Sequence, residues 1–259
     1  MLREKGIEEI YDGHFYRPDD MVPVGCSDCA GCSACCRNTG DTIILDPYDM
    51  YMLCRGTGKS FTDMIEREIE IRLVDGLILP NLMQHHEESE GGGITPEGDN
   101  KSGKPDPGPG TEDAKKETIA EKDGDRCPFL SAAGRCRIHP WRPGFCRLYP
   151  MGRYYTEDGF RYILQKDECT DREKTPVLLR DWLGVEDLPH YEAFVQDWHD
   201  FRKSAEKGME KLTQHSLDSV RRYLLQIFFV HPYEMEMDFY PQYAARMEVC
   251  RDALAVILQ

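Results

Sequence analysis

No stretch of the 259 residues approaches the roughly 20 consecutive apolar residues that a membrane helix needs. The chain has no excess of positive charge either: 47 acidic against 32 basic residues leave a formal net charge of -15. That balance argues against affinity for phosphate backbones or anionic lipid, so neither a nucleic-acid partner nor a membrane is expected. Residues 1 to 10 are charged and contain no apolar run, so no export signal is expected. No internal repeat, no glycine-rich nucleotide loop after a strand, and no Ser/His/Asp or paired-carboxylate set stands out. The expected compartment is therefore the reducing cytoplasm. There a cysteine-dense chain reads as metal-binding or catalytic before it reads as disulfide-bonded, and an odd count of eleven cysteines fits complete pairing poorly.

What the chain does have is concentrated in one stretch: Cys26-Ser-Asp-Cys29-Ala-Gly-Cys32-Ser-Ala-Cys35-Cys36. A two-residue gap lets both thiolates of a turn reach one metal, and the small residues between them leave backbone N–H groups free to point at sulfur. Buried structural thiols are scattered small hydrophobes and do not crowd a Gly/Ala/Ser loop, so this stretch reads as metal-binding.

The elements around it predict an α+β fold in two regions. Residues 1–172 form a small metal-stapled core of short strands and helices, and residues 173–259 form a C-terminal helical bundle. Residues 1 to 25 read as an extended lead-in packed on the metal loop. Thr42 to Leu45 read as a short strand. Asp46-Pro47 opens a helix, with Asp as N-cap and Pro at the first helical position, and Ser60-Phe-Thr-Asp63 is a capping box for another helix to about residue 70. Asp75-Gly76 between two apolar runs is a hairpin signal, and Tyr154-Tyr155 pairs with residues 160 to 164 in a second hairpin. Residues 85 to 126 are rich in Gly, Pro and charge and poor in large apolar side chains. They read as a disordered, tolerated insertion, with His85 and His86 exposed at its start. From Thr175 the pattern turns helical: a short helix from Thr175-Pro176 to about Leu183, then residues 189–212, 216–230 and 241–258. The last of these carries an inward stripe of Tyr243, Met247, Cys250, Leu254 and Ile257.

The second half adds thiols at element boundaries: Cys127, Cys136, Cys146 and Cys169. Cys54 and Cys250 fall on apolar helix faces and read as buried free thiols. Nine candidates remain, and eight would fill two tetrahedral sites. With so many thiolates present, His139 is not needed as a ligand. Arg142 and Arg147 flank Cys146, where each could neutralise thiolates as a second-shell partner or pair with surface acids. Tyr149, Tyr154 and Tyr155 read as hairpin packing.

Taken together, Cys29-x2-Cys32-x2-Cys35-Cys36, then Cys127-Pro-Phe-Leu with Gly134-Arg-Cys136, then Arg142-Pro-Gly-Phe-Cys146-Arg-Leu-Tyr-Pro150, then Cys169, resemble the YkgJ-type cysteine-cluster family, described as zinc- or iron-chelating. The Asp-Pro-Tyr-Asp helix after the first cluster resembles it too. The resemblance implies eight ligands, Cys29, Cys32, Cys35, Cys36, Cys127, Cys136, Cys146 and Cys169. Cys26 is an additional candidate, the segment 85–126 is inserted, and His139 stands where an aromatic is common in the family. A related cluster occurs in flagellin lysine methylases.

The C-x2-C-x2-C run is similar to part of a bacterial ferredoxin motif, although Cys35-Cys36 breaks its ending. Structural zinc usually takes two knuckles separated by a longer loop. Adjacent Cys35 and Cys36 are expected to point apart and serve two centres or two sides of one cluster, so an iron–sulfur cluster is favoured over zinc. Three functions follow. One is an iron–sulfur protein in a redox or modification reaction. Another is a zinc-stapled module whose helices bind a protein partner. The third is a lysine-methylating enzyme like the flagellin methylases, for which no nucleotide loop is visible.

Overall fold

The computed structural model describes residues 7–25, 32–37, 39–40, 42–65, 67–86, 125–169 and 174–257. It is an α+β protein, with small sheets in the first two thirds and helices in the last third. Among the described residues no helix is long and apolar enough to cross a membrane.

The lead-in is largely extended, as expected, and its extended parts are strands of two sheets; residues 26–31 of the metal loop lie outside the described residues. A single helical turn, α1 (Ile7–Ile10), runs into β1 (Tyr11–Tyr16), and β2 (Met21–Gly25) follows. β1 pairs antiparallel with β8 (Gly159–Gln165), which pairs on its other side with β7 (Met151–Thr156), giving the order β1-β8-β7. The β1–β8 register shifts between Tyr11 and Phe15, where Gly13 takes a φ of 95°, a conformation open to glycine at low cost. The β7–β8 hairpin is the one expected from Tyr154 and residues 160–164.

Residues 175–178 were expected to begin a helix and instead form β9 (Thr175–Leu178), paired with β2. The helix that follows is only α5 (Leu179–Leu183). The β2 register places Val22 against Val177, and Val22 and Val24 are buried beneath it.

α2 (Pro47–Thr57) starts where Asp46 and Pro47 predict, with Asp46 and Asp49 forming a reciprocal capping box, and it ends on Gly58 in the left-handed region. Ser60 and Asp63 cap α3 in the same way, but α3 spans only Phe61–Met64 and stops well short of residue 70. β3 (Ile69–Val74) and β4 (Leu77–Leu82) form the expected hairpin. Both turn residues have positive φ, 48° at Asp75 and 77° at Gly76, as a type I′ turn requires. Residues 42–45 do not form a strand of their own. They run along β4, bonded through Leu45 N to Pro80 O and Leu82 N to Ile43 O.

Both ends of the segment expected to be an insertion are described. β5 (His85–His86) pairs with β6 (Asp125–Arg126), so the chain leaves and re-enters at one point. His85 is exposed, as expected, with Nε2 2.7 Å from the Arg67 carbonyl. The rest of the expected disordered segment lies outside the described residues.

The C-terminal third packs three helices: α6 (Leu188–Met209), α7 (Gln214–Leu225), continued by a π-helical turn (Gln226–Val230), and α8 (Phe239–Ile257). Aromatic rings lock them together. Phe194 meets Tyr243 edge-on at 4.7 Å, and Trp198 meets Phe228 at 4.9 Å. Tyr243, Met247, Cys250 and Leu254 of the stripe expected on α8 are all buried, and the Ile257 side chain lies outside the described residues.

α2 contacts the turn at His139–Trp141 through Gly56. A Cβ built on Gly56 would come within 2.2 Å of the Trp141 ring. Alanine inside a helix ordinarily stabilises by about 0.5–1 kcal/mol over glycine. Here the sign reverses. Gly56→Ala should destabilise by about 1–3 kcal/mol through overpacking against Trp141, read as a drop in Tm. An unchanged or higher Tm would show that Trp141 yields freely.

Candidate metal centre

The first cysteine cluster and the second half of the chain are joined by backbone. Cys35 and Cys36 sit in a 3-10 turn (Ala34–Cys36) closed by Cys36 N to Ser33 O at 2.9 Å. Cys127 N then donates to Cys36 O at 2.9 Å, and Arg37 bridges to Arg126. From Cys127 the chain makes a tight reversal. Leu130 N bonds Cys127 O, Gly134 turns with a φ of 68°, and a bridge between Leu130 and Cys136 brings Cys136 back beside Cys127.

Cys146 arrives on α4 (Gly144–Leu148), a one-turn helix whose start is pinned from a distance. Asp49, 3% exposed, accepts from Gly144 N at 2.7 Å with one oxygen and from Asp46 N at 3.1 Å with the other. Only glycine fits at 144, because a Cβ there would lie 2.5 Å from the Tyr191 hydroxyl. The Asp-Pro-Tyr-Asp and Pro-Gly-Phe-Cys stretches are thus two halves of one joint. The sequence signals the cap at Asp46 but not the second oxygen of Asp49, whose partner lies 95 residues on.

Six thiols line one cavity of about 340 Å³: Cys32, Cys35, Cys36, Cys127, Cys136 and Cys146. Ile43, Leu82, Ile138 and Pro143 supply apolar wall. Cys169 is not in that lining. Its charge is felt at Tyr149, together with those of Cys35 and Cys32. Tyr149 in turn lines a second cavity that shares Cys35 and Cys146 with the first. Cys26 and Cys29 lie outside the described residues. Cys54 on α2 and Cys250 on α8 stand apart from the lining, and burial pushes both thiols up to about 11.

Cys35 and Cys36 do not point apart as expected. Their Sγ atoms lie 4.0 Å from each other. The contact splits them. A hydrogen bond from the Cys36 thiol brings Cys35 down to about 7, with help from Arg142, and pushes Cys36 up. Burial raises Cys127 to about 11 and raises Cys136 and Cys146, with neighbouring thiolates adding to each. Without a cation, the cavity therefore holds mostly neutral thiols. Several thiolates can coexist there only if a metal compensates their charge, so the donor set suits a thiophilic metal. Among the described residues no three His, Cys, Asp or Glu donors converge closely enough for one ion.

The two flanking arginines separate in role. Arg142 lines the cavity and its charge lowers Cys35 and Cys136. Its Nη1 is 2.9 Å from His139 Nε2, which occupies that nitrogen of His139. Arg147, expected either beside the thiolates or in a surface ion pair, is buried and donates to four carbonyls instead. Nη1 reaches Leu183 and Gly184, and Nη2 reaches Pro140 and Arg142. It ties the cysteine loop to the end of α5.

Comparison with known families agrees with the cysteines. A model of the CxxCxxCC family, described as "Putative zinc- or iron-chelating domain", matches residues 95–174. That span holds Cys127, Cys136, Cys146 and Cys169, and it supports the resemblance to the cysteine-cluster family. The first cluster, Cys29 to Cys36, lies outside the matched span, and the family's description leaves zinc and iron both open. No curated protein and no solved structure matches the chain.

Two predictions follow from the joint at α4. Asp49→Ala leaves two N–H groups without their acceptor and should cost about 2–5 kcal/mol. It should also lower metal occupancy through Cys146, measured as metal per chain in protein that remains folded. Full occupancy would show that Cys146 holds its place without the clamp. The second concerns pH. Burial raises Asp46 to about 6, from an unfolded value of about 3.9. The protonated carboxyl thus contributes stability that is complete below the unfolded value and is lost as pH rises through about 6. Asp46→Asn keeps a capping oxygen and removes the titration. Relative to wild type, its Tm should rise between about pH 5 and about pH 7.5, and a constant difference would refute the assignment.

Proposed function

We propose that the protein is an iron–sulfur protein whose cluster serves a redox or protein-modifying reaction. The supporting observation is the shape of the thiol cavity. A single tetrahedral zinc holds sulfur at about 2.3 Å, so its ligands close around it and leave no void. Six thiols around about 340 Å³ are more donors than one tetrahedral ion uses, which suits a centre of several metal atoms. In this reading Cys32, Cys35, Cys36, Cys127, Cys136 and Cys146 supply the described ligands. Arg142 offsets their negative charge, and the apolar wall keeps water from the sulfurs. All nine described cysteines are free thiols, which suits a reducing compartment such as the cytoplasm.

The Cys35–Cys36 spacing favours one alternative. At 4.0 Å it is close to the about 3.8 Å edge of a tetrahedron of thiolates around one zinc, so this pair could share an ion in a zinc-stapled interaction module.

Anaerobic purification separates the two. The iron–sulfur reading predicts a brown protein with visible charge-transfer absorption and with iron and acid-labile sulfide in comparable amounts. Colourless protein with stoichiometric zinc and no sulfide would replace it, because Zn²⁺ has no such transitions. Cys146→Ser should lose metal, whereas Cys250→Ala should keep it.

A further inference from the structure

On the side of α4 away from the thiol cavity lies a groove of about 730 Å³. Its floor is one face of α2, with Tyr48, Tyr51, Met52 and Arg55 at helical spacing. One bank is the loop at 184–187 and the other is the loop at 235–240. Glu186 and Asp187 stand on the first bank, Glu236 and Asp238 on the second, and all four are exposed. Asp187 is engaged with His190. Of the two arginines in the lining, Arg147 is spent on carbonyls and Arg55 is exposed on the floor. Met235 and Met237 join Met52 in the groove, and Met237 is 50% exposed.

Both banks are held in place from within the protein. Tyr51 Oη donates to Met237 O at 3.0 Å, and Gln242 bonds the backbone at Glu234 and Asp238. Across the groove, Arg147 holds the carbonyls of Leu183 and Gly184, and Asp187 caps α6. A preformed cleft avoids much of the ordering cost of binding. Methionine floors adapt to varied apolar side chains, and aromatic faces attract cations.

We propose that this groove is a docking site for a basic, amphipathic peptide segment of a partner protein. Apolar side chains of the segment settle on Met52, Met237 and the tyrosines, and its lysines or arginines meet carboxylates on both banks. The charge complementarity fixes the occupant. Carboxylates on both sides disfavour nucleic acid and anionic lipid, and the tyrosine and methionine side chains among them add contacts that a purely polar cation would not use.

The full metal-loaded chain is titrated with a fluorescently labelled amphipathic leucine/lysine peptide, at physiological ionic strength where charges act over about 8 Å. Binding should protect residues 184–187 and 235–240 from hydrogen exchange. Glu186→Lys with Glu236→Lys should weaken binding roughly tenfold, and Met237→Ser severalfold. Glu157→Lys with Asp158→Lys, the same charge change on the exposed β7–β8 turn, should leave affinity unchanged. The proposal is overturned by equal loss in both charge-reversed proteins, by polylysine binding as tightly as the amphipathic peptide, or by protection elsewhere. Met237→Ser changes only a half-exposed side chain, so it decides the matter should the charge reversals disturb folding.

Discussion

The arrangement depends on one buried carboxylate. Asp49 satisfies two backbone N–H groups at once, its own helix's first at Asp46 and the first of α4 at Gly144. It adds a direct bond between two elements nearly a hundred residues apart, beside the packing of Gly56 on Trp141. With it, Cys146 is delivered to the wall formed by Cys35, Cys36, Cys127 and Cys136. The carboxylate sits beside its partner acid Asp46, and burial raises the pKa of both. The joint is therefore assembled at an electrostatic cost, offset by the hydrogen bonds it makes.

The thiol cavity follows the same logic with the opposite remedy. Buried sulfurs that would repel one another as thiolates remain protonated until a cation arrives. Cys35 is brought down towards a neutral-pH thiolate by its contact with Cys36. Metal binding and proton release are thus coupled, and part of the folding free energy of this region comes with the metal.

How far the sequence could be read depends on how local each signal is. The N-cap at Asp46, the capping box at Ser60, the Asp75-Gly76 turn and the α8 stripe as far as Leu254 are settled by residues within a few positions of one another, and each was legible. β9 was not, because Thr175-Pro176 resembles a helix start and its partner Val22 lies far back in the chain. β1 hid for the same reason: its mix of aromatic and polar residues makes sense only against β8. The density of cysteines at 26–36 was legible from spacing, while the use of Arg147 was not. A cation next to a cysteine suggests charge compensation, yet its acceptors are carbonyls up to 37 residues away.

The pairing of His85 with Arg126 and of His86 with Asp125 has a further consequence. The two-residue ladder fixes residues 86 and 125 side by side, with Cys127 two positions further on. Loop-closure entropy grows only as the logarithm of length, by about 0.6 kcal/mol per doubling. A change in the length of chain between 86 and 125 should therefore cost little in closure and leave Cys127 in register against Cys36.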